Sequence, residues 1–364
     1  MQDINKEIQT GTDEATDAEA EPPGRLKVGI AYNLKRNTNG DLPDAEAEFD
    51  DMEAIDAIRS AIEETGCTVV LYEATDDFPI RLAQNRPDIV FNISEGIRGR
   101  GREAQVPAIL DFLGIPYTGS DETTLCVAMD KALTKKLVAS FGVNTPVYRI
   151  VKSAAFFPEN ISAGSMPEFP VLVKPNTEGS SKGVSDFSVA RDIAGLRSML
   201  DVKIGTYRQD MLVEKYISGR EFTVGILGNG NGFRVFPPME IIFNDKNHPI
   251  YSYEVKRNFR NFVRYRCPPD LSPDLLNKIT DAAKTVYSVL ECRDLSRMDF
   301  RMSADGSLYF IEINPLPGLA PGYSDFPMIA GFCGIDYPAL IRSILDSALA
   351  RYGMPLLGSG VNYG

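Results

Sequence analysis

The chain has 364 residues, 43% hydrophobic and 24% charged, enough for two or three domains of the usual ~100–200 residues. A formal net charge of −12 argues against non-specific nucleic-acid binding, which needs basic patches, although a local basic site for an anionic ligand is compatible with it. No run approaches the ~18 uninterrupted apolar residues of a membrane helix, and the acidic N-terminus lacks the apolar core of a secretory signal, so no membrane partner and a cytoplasmic location are expected.

Residues 1–24 are rich in Glu, Asp, Thr and Ala and read as a disordered acidic tail. A strand is expected over 25–33, then a polar, turn-rich stretch over 34–44. Residues 50–66 have helical spacing, with Met52, Ile55, Ile58 and Ile62 on one side. Strands follow over 67–74 and 88–94, the latter nearly all apolar as in a buried parallel sheet, and a helix over 103–113. Alternating strand and helix is the pattern of a doubly wound α/β domain, here 25–122. One helix is expected over 123–141 and a strand over 170–175. A Gly/Ser loop comes next, then strands over 211–217, 221–227 and 233–243. Helices over 271–290 and 336–349 flank a hairpin, and 353–364 reads as a flexible tail. Five scattered cysteines (Cys67, Cys126, Cys267, Cys292, Cys333) with no CxxC pair suit reduced thiols, and the single histidine, His248, reads as a loop residue.

The hairpin is the most informative segment. Residues 296–315 read SRMDFRMSADGSLYFIEINP, and Asp305-Gly306 is a strong two-residue turn signal. With that turn, Met298 faces Ile313, Phe300 faces Ile311 and Met302 faces Tyr309, all apolar. Asp299 then meets Glu312 and Arg297 meets Asn314 on the other face. Asp299, Glu312 and Asn314 offer oxygen ligands without sulfur or imidazole, which suits Mg²⁺ or Mn²⁺ beside substrate phosphates. The same spacing suits a solvated sheet face with a charged pair.

Lys174-Pro175-Asn176-Thr177-Glu178-Gly179-Ser180-Ser181-Lys182-Gly183-Val184 follows an apolar strand. Its glycines and serines can present N–H and O–H donors to phosphates, although a plain surface loop has similar composition. It matches neither the Walker nor the GxGxxG pattern. Residues 211–217 alternate apolar and polar with Glu221 just beyond. Carboxylates there can accept from a nucleotide base or ribose, or simply end a strand.

Together, VLVKPNTEGSSKGV, VEKYISGREFTVGILG and SRMDFRM…LYFIEINPLPG resemble the ATP-grasp superfamily. FNISEGIRGRGREAQVPAILDFLGIPYTGSD, MDKALTK and SDFPMIAGFCGIDYPALI are most similar to its D-alanine–D-alanine ligases, over about residues 25–351. The resemblance implies an α/β fold (α+β ATP-grasp). An N-terminal doubly wound pre-ATP-grasp domain (25–122) precedes a two-lobed ATP-grasp domain (123–213 and 214–352), with ATP between the lobes. By matching motifs it places Lys131, Lys174, Glu178, Ser180, Ser181 and Lys256 on the phosphates. Glu214, Lys215, Tyr216, Ile217 and Glu221 fall at adenine and ribose, and Asp299, Glu312 and Asn314 on two Mg²⁺ ions. Arg297 and the Gly318 N–H would stabilise an oxyanion, Ser180 and Lys256 would assist, and Ser324 would hold the second substrate's carboxylate. The implied reaction joins a carboxylate to an amine through an acyl phosphate. Substrates are small amino acids or peptides, and the protein is a possible homodimer.

The substrate side departs from the family. Asn33-Leu34-Lys35-Arg36 stands where a first-substrate glutamate is usual, Glu95 replaces a histidine, and Arg257 replaces a tyrosine after Lys256. The basic run Lys256, Arg257, Arg260, Arg264 and Arg266 suggests an acidic or larger carboxylate substrate. A ligase with altered substrates is therefore expected, against the alternatives of a D-alanine–D-alanine ligase proper and an ATP-binding protein without ligase activity.

Overall fold

The computed structural model describes residues 25–36, 44, 46–153, 158–184, 188–244 and 262–357. Strands β1 (Lys27–Tyr32), β2 (Thr68–Glu73) and β3 (Ile89–Asn92) form a parallel sheet in the order β2-β1-β3. β3 is buried at every position, which requires cover on both faces. Helix α1 (Met52–Glu63) covers one face through Ile55, Ile58 and Ile62. Helices α2 (Phe78–Gln84) and α3 (Gln105–Leu113) cover the other through Phe78, Leu82, Val106 and Leu110. This is the expected doubly wound arrangement. Met52 leaves the expected stripe and is 40% exposed, because the helix begins there, immediately after its cap, Asp51.

The single helix expected over 123–141 is two, α4 (Glu122–Met129) and α5 (Lys131–Ser140). Asp130 breaks it: its backbone is extended, its carboxylate caps α5 through the Leu133 N–H at 3.0 Å, and the Asn176 amide donates to it at 2.8 Å. The break puts Lys131 at the first position of α5, tied to the Gly/Ser-loop region by Lys131 N–H donating to the Asn176 carbonyl.

Strands β4 (Tyr148–Val151), β5 (Val171–Pro175), β6 (Val189–Ala190) and β7 (Met211–Lys215) form an antiparallel sheet, order β4-β7-β5-β6. Helix α6 (Ile193–Tyr207) packs on it through Leu196 and Leu200. β7 extends to Lys215, so the expected division at 213/214 falls inside a strand. The third sheet runs β11-β10-β8-β12-β13, with β9 on β8. Its strands are β8 (Arg220–Leu227), β9 (Arg234–Val235), β10 (Met239–Phe243), β11 (Val263–Arg266), β12 (Leu295–Met302) and β13 (Leu308–Asn314). Pro237-Pro238 divides the expected 233–243 strand into β9 and β10, because proline cannot donate to a ladder. Helix α7 (Pro273–Val289) packs its Ile279, Ala283 and Val286 on this sheet. Helices α8 (Asp325–Phe332) and α9 (Tyr337–Arg351) then return to the first sheet's core beside α1. No single helix among the described residues is long and apolar enough to cross a membrane.

One buried carboxylate joins the parts. Asp294, fully buried, accepts from Gly119 N–H at 2.8 Å, from the Asn229 amide at 2.6 Å and from Arg351 at 2.7 Å. Removing one member of such a network strands the others without water, at a cost of about 3–5 kcal/mol. Asp294→Ala is therefore expected to lower the thermal unfolding midpoint by several degrees. An unchanged midpoint would show that the three partners find other acceptors.

Candidate active site

The hairpin carries the expected site face by a different route. Arg297 pairs with Asn314, Met298 with Ile313 and Asp299 with Glu312. The register then shifts by one, so Phe300 pairs with Phe310 and Met302 with Leu308, not with Ile311 and Tyr309. The turn is one residue longer than expected. Gly306 N–H donates to Ser303 O at 2.9 Å, Ser303 N–H donates to Ser307 O at 3.0 Å, and Gly306 has φ +78°. That is a three-residue loop with glycine in the left-handed position. A bulge at Ile311 absorbs the offset and restores the register where the polar residues stand. It turns Ile311 toward the cleft and leaves the Phe310 and Ile311 carbonyls to accept from Lys135 at 3.3 and 2.7 Å.

A cleft of about 790 Å³, open mouth included, lies between the second and third sheets. Lys131, Lys174, Glu178, Ser181, Glu214, Lys215, Tyr216, Ile217 and Glu221 all line it, as do Arg297, Asp299 and Glu312. Its floor alternates in charge. Glu214 lies 2.8 Å from Lys174 and 3.1 Å from Lys135, while Lys131 and Lys174 each stand 3.8 Å from Glu312. Burial alone would push the Glu214 carboxyl up, but Lys135 and Lys174 hold it below the usual range. Burial opposes the Lys174 ammonium, yet Glu214 and Glu312 keep its pKa raised. Lys135, with burial dominant, is lowered to about 8. Lys215 turns its amine to Glu168, 2.6 Å away. Arg301 stacks 4.9 Å over the Tyr216 ring and stands 3.7 Å from Glu221. Burial raises Glu221 to about 7 against the pull of Arg301, and Asp299 and Glu312 add to the rise.

The Gly/Ser loop is clamped from the first sheet's side. Arg102 contacts Glu48 at 2.6 Å and Glu178 at 3.1 Å, and Lys182 contacts Glu178 at 2.9 Å. Gly179 N–H donates to Glu48 at 2.6 Å, and the Lys131 ammonium reaches the Glu178 carbonyl. Ser180 and Ser181 have φ of +46° and +58°, a backbone that costs about 1–2 kcal/mol per non-glycine residue and that the clamps hold in place.

A second cavity, about 1560 Å³ with its mouth, adjoins the first. Ser180, Glu95, Asn314, Gly318 and Ser324 line it, and Arg297 lines both. Arg297 is 7% exposed and donates to Asp325 at 2.8 Å and Asp299 at 3.0 Å. A Cβ on Gly318 would stand 2.9 Å from the Ser324 hydroxyl, so a larger residue there would displace that side chain. Glu95 sits in a rigid turn: Asn33 Oδ1 accepts from Ser94 Oγ at 2.8 Å and Gly96 N–H at 3.0 Å. Gly96 has φ +75°, and a Cβ there would meet the Arg102 carbonyl at 2.0 Å. Lys256, Arg257, Arg260 and His248 lie outside the described residues. Arg264 and Arg266 are exposed on β11 and do not line the cavity.

Several site residues escaped the sequence reading. Arg301 shares the Arg297–Asp299 alternation, and Lys135 lies one helical turn after Lys131; both patterns could have found them. Glu48, Asp50 and Glu103 carry no such signal, because their chain positions say nothing of the cavity they share.

Two sheets gripping a charged cleft, with a glycine-rich loop above and an acidic hairpin below, define an ATP-grasp ligase fold that forms C–N bonds. The D-ala D-ala ligase C-terminus family model matches residues 137–346. A D-alanine–D-alanine ligase of Gloeobacter violaceus is 33% identical over 80% of this chain and 92% of its own length. An uncharacterized protein of Sinorhizobium fredii is 32% identical over 83% and 90%. The crystal structure of D-alanine–D-alanine ligase from Bacillus anthracis complexed with ATP superposes with TM-score 0.71 at 22% identity, covering 90% of this chain and 99% of that one. The chain belongs to the D-alanine–D-alanine ligase family.

Glu221 gives a pH test of the cleft. Its folded pKa, about 7, lies above the ordinary carboxylate value of 4.5. The native state therefore keeps a proton that the unfolded chain releases, and this contribution to stability is lost as pH rises from about 4.5 through 7. Glu221→Gln removes the penalty. Its unfolding midpoint, relative to wild type, is expected to climb between pH 5 and 8; a pH-independent difference would contradict the assignment.

Proposed function

We propose that the protein is an ATP-dependent carboxylate–amine ligase. It works through an acyl phosphate on amino acids or short peptides, with substrates other than two D-alanines. The observation that carries the ligase reading is Arg297, which lines both cavities and stands among Asp299, Glu312 and Asn314 at their junction. In this reading Glu214, Lys215, Tyr216, Ile217 and Glu221 seat adenine and ribose. Lys131, Lys174, Glu178, Ser180 and Ser181 surround the phosphates, joined by Lys256. The three sheets correspond to three lobes, with the second boundary just beyond Lys215.

The hairpin fits magnesium. Burial and Glu312 together raise the Asp299 carboxyl despite Arg297, so the facing carboxylates are short of positive charge, and all the donors are hard oxygens. A bound Mg²⁺ would neutralise charge on the transferring phosphoryl group. The chain's own residues do the rest. Lysines orient the γ-phosphate at the junction, where a substrate carboxylate attacks it. Arg297 and the Gly318 N–H face the oxyanion formed when the amine adds, and Ser324 orients the amine substrate. Phosphate leaves and an amide remains.

Glu95 and the acidic wall around it support altered substrates. A D-alanine–D-alanine ligase of cell-wall synthesis is the competing reading, because relatives spanning four-fifths of the chain carry that name. Phosphate release measured across D- and L-amino acids and short peptides, with mass spectrometry of products, separates the two. Another pair is expected to turn over faster; robust D-alanyl-D-alanine formation with no better pair would overturn the altered-substrate reading. Arg297→Met is expected to lower kcat about 10²–10³-fold, as loss of an oxyanion donor does. Unchanged turnover would remove Arg297 from the chemistry.

A further inference from the structure

We infer that Arg301 is a specificity-determining residue of the nucleotide seat: with Glu221 it forms a donor–acceptor pair that reads the ribose hydroxyls. This rests on the ATP-dependent reading above.

Arg301 follows Arg297 and Asp299 on one face of β12, because side chains alternate along a strand. Four residues at about 3.3 Å each put it about 13 Å from Arg297, away from the junction of the two cavities. Its cross-strand neighbour on β8 is Glu221, and both line the first cavity. The Arg301 side chain is 9% exposed and that of Glu221 13%. A guanidinium buried to this degree is costly unless opposite charge and hydrogen bonds meet it. Arg301 lies 4.9 Å over the Tyr216 ring, a contact that restrains the planar fork. Glu221 stands 3.7 Å from its Nε, close enough for attraction and too far for a hydrogen bond. Pro146, Leu172, Ile217 and Ile311 of the same cavity are apolar and give shape without polar readout.

A carboxylate only accepts hydrogen bonds and a guanidinium only donates them. A hydroxyl does both. The pair therefore matches a sugar hydroxyl in each direction: its O–H donates to Glu221 and its oxygen accepts from Arg301. The edge of adenine also carries a donor beside an acceptor, but position favours the sugar. Thr223, one step along the same face of β8 from Glu221, is the cross-strand neighbour of Asp299. Glu221 thus stands beside the hairpin carboxylates, at the phosphate end of the cleft, and the sugar is the part of a nucleotide joined to its phosphates. Arg301 also draws Glu221 toward its ionised, accepting form, against burial. Removing the guanidinium weakens both halves of the pair.

The test uses the full chain with Mg²⁺, titrated calorimetrically with ATP, 2′-deoxy-ATP and 3′-deoxy-ATP. Wild type is expected to bind ATP at least about tenfold more tightly than one of the deoxy forms, and Arg301→Met to bring that ratio within about twofold. Glu221→Gln is expected to reduce the same ratio, and the double variant to reduce it no further than Arg301→Met alone. Arg301→Lys, which keeps the charge and a donor, is expected to retain part of it. A merely loosened cleft weakens all three nucleotides alike and leaves the ratio in place. The unfolding midpoint shows which variants are folded; if Arg301→Met is not, Glu221→Gln carries the test. Wild type that does not discriminate, or a ratio unmoved in the folded variant, overturns the inference, and Arg301 then only neutralises Glu221. These ratios do not depend on catalysis. No phosphate release from any carboxylate donor strikes the ligase reading and leaves the inference standing, whereas failure to bind ATP overturns both.

Discussion

Asp299 and Glu312 face each other across an antiparallel strand pair at the wall of the cleft, and that opposition dictates what surrounds them. Two carboxylates at cross-strand distance repel, and low dielectric makes the repulsion strong. Every nearby cation answers it. Arg297 grips Asp299 from the same strand, and Lys131 and Lys174 approach Glu312 from the second sheet. Glu214 in turn keeps Lys174 and Lys135 charged side by side. The result is a chain of alternating charges linking two sheets, which in the proposed function polyphosphate and a divalent cation enter by exchanging partners. The Gly/Ser loop shows the same logic, with Glu48 standing on the Gly179 N–H that would otherwise have no anion.

The hairpin was the most legible part of the sequence, and legible partly through cancellation. Reading Asp305-Gly306 as a two-residue turn placed Asp299 opposite Glu312 and Arg297 opposite Asn314, as observed. The real turn has one more residue, and the Ile311 bulge takes it up. Turn chemistry is local and readable, whereas a bulge is set by tertiary partners, here Lys135 reaching the freed carbonyls. The break at Asp130 was missed for the same reason: Leu125, Ala128 and Met129 continue a helical pattern, and the Asn176 amide that holds the Asp130 cap lies far along the chain.

Substrate chemistry was less legible, because charge was counted along the chain instead of in space. The arginines of 256–266 are neighbours in sequence, yet the two described ones, Arg264 and Arg266, do not line the cavity. The acids that wall it come from 48–53, 95 and 103, separated by loops and a strand, and only folding gathers them. In the proposed function the phosphoryl chemistry belongs to one hairpin, whereas the acids of the second cavity are assembled from separate loops, each free to vary without disturbing the hairpin.

The central claim is that ATP activates a substrate carboxylate. Its most direct test is oxygen transfer. With a donor whose carboxylate carries ¹⁸O, attack on the γ-phosphorus followed by displacement moves one carboxylate oxygen into the released phosphate. Mass spectrometry of that phosphate is predicted to show one ¹⁸O atom per amide formed. Phosphate bearing no label while amide accumulates would contradict an acyl-phosphate path.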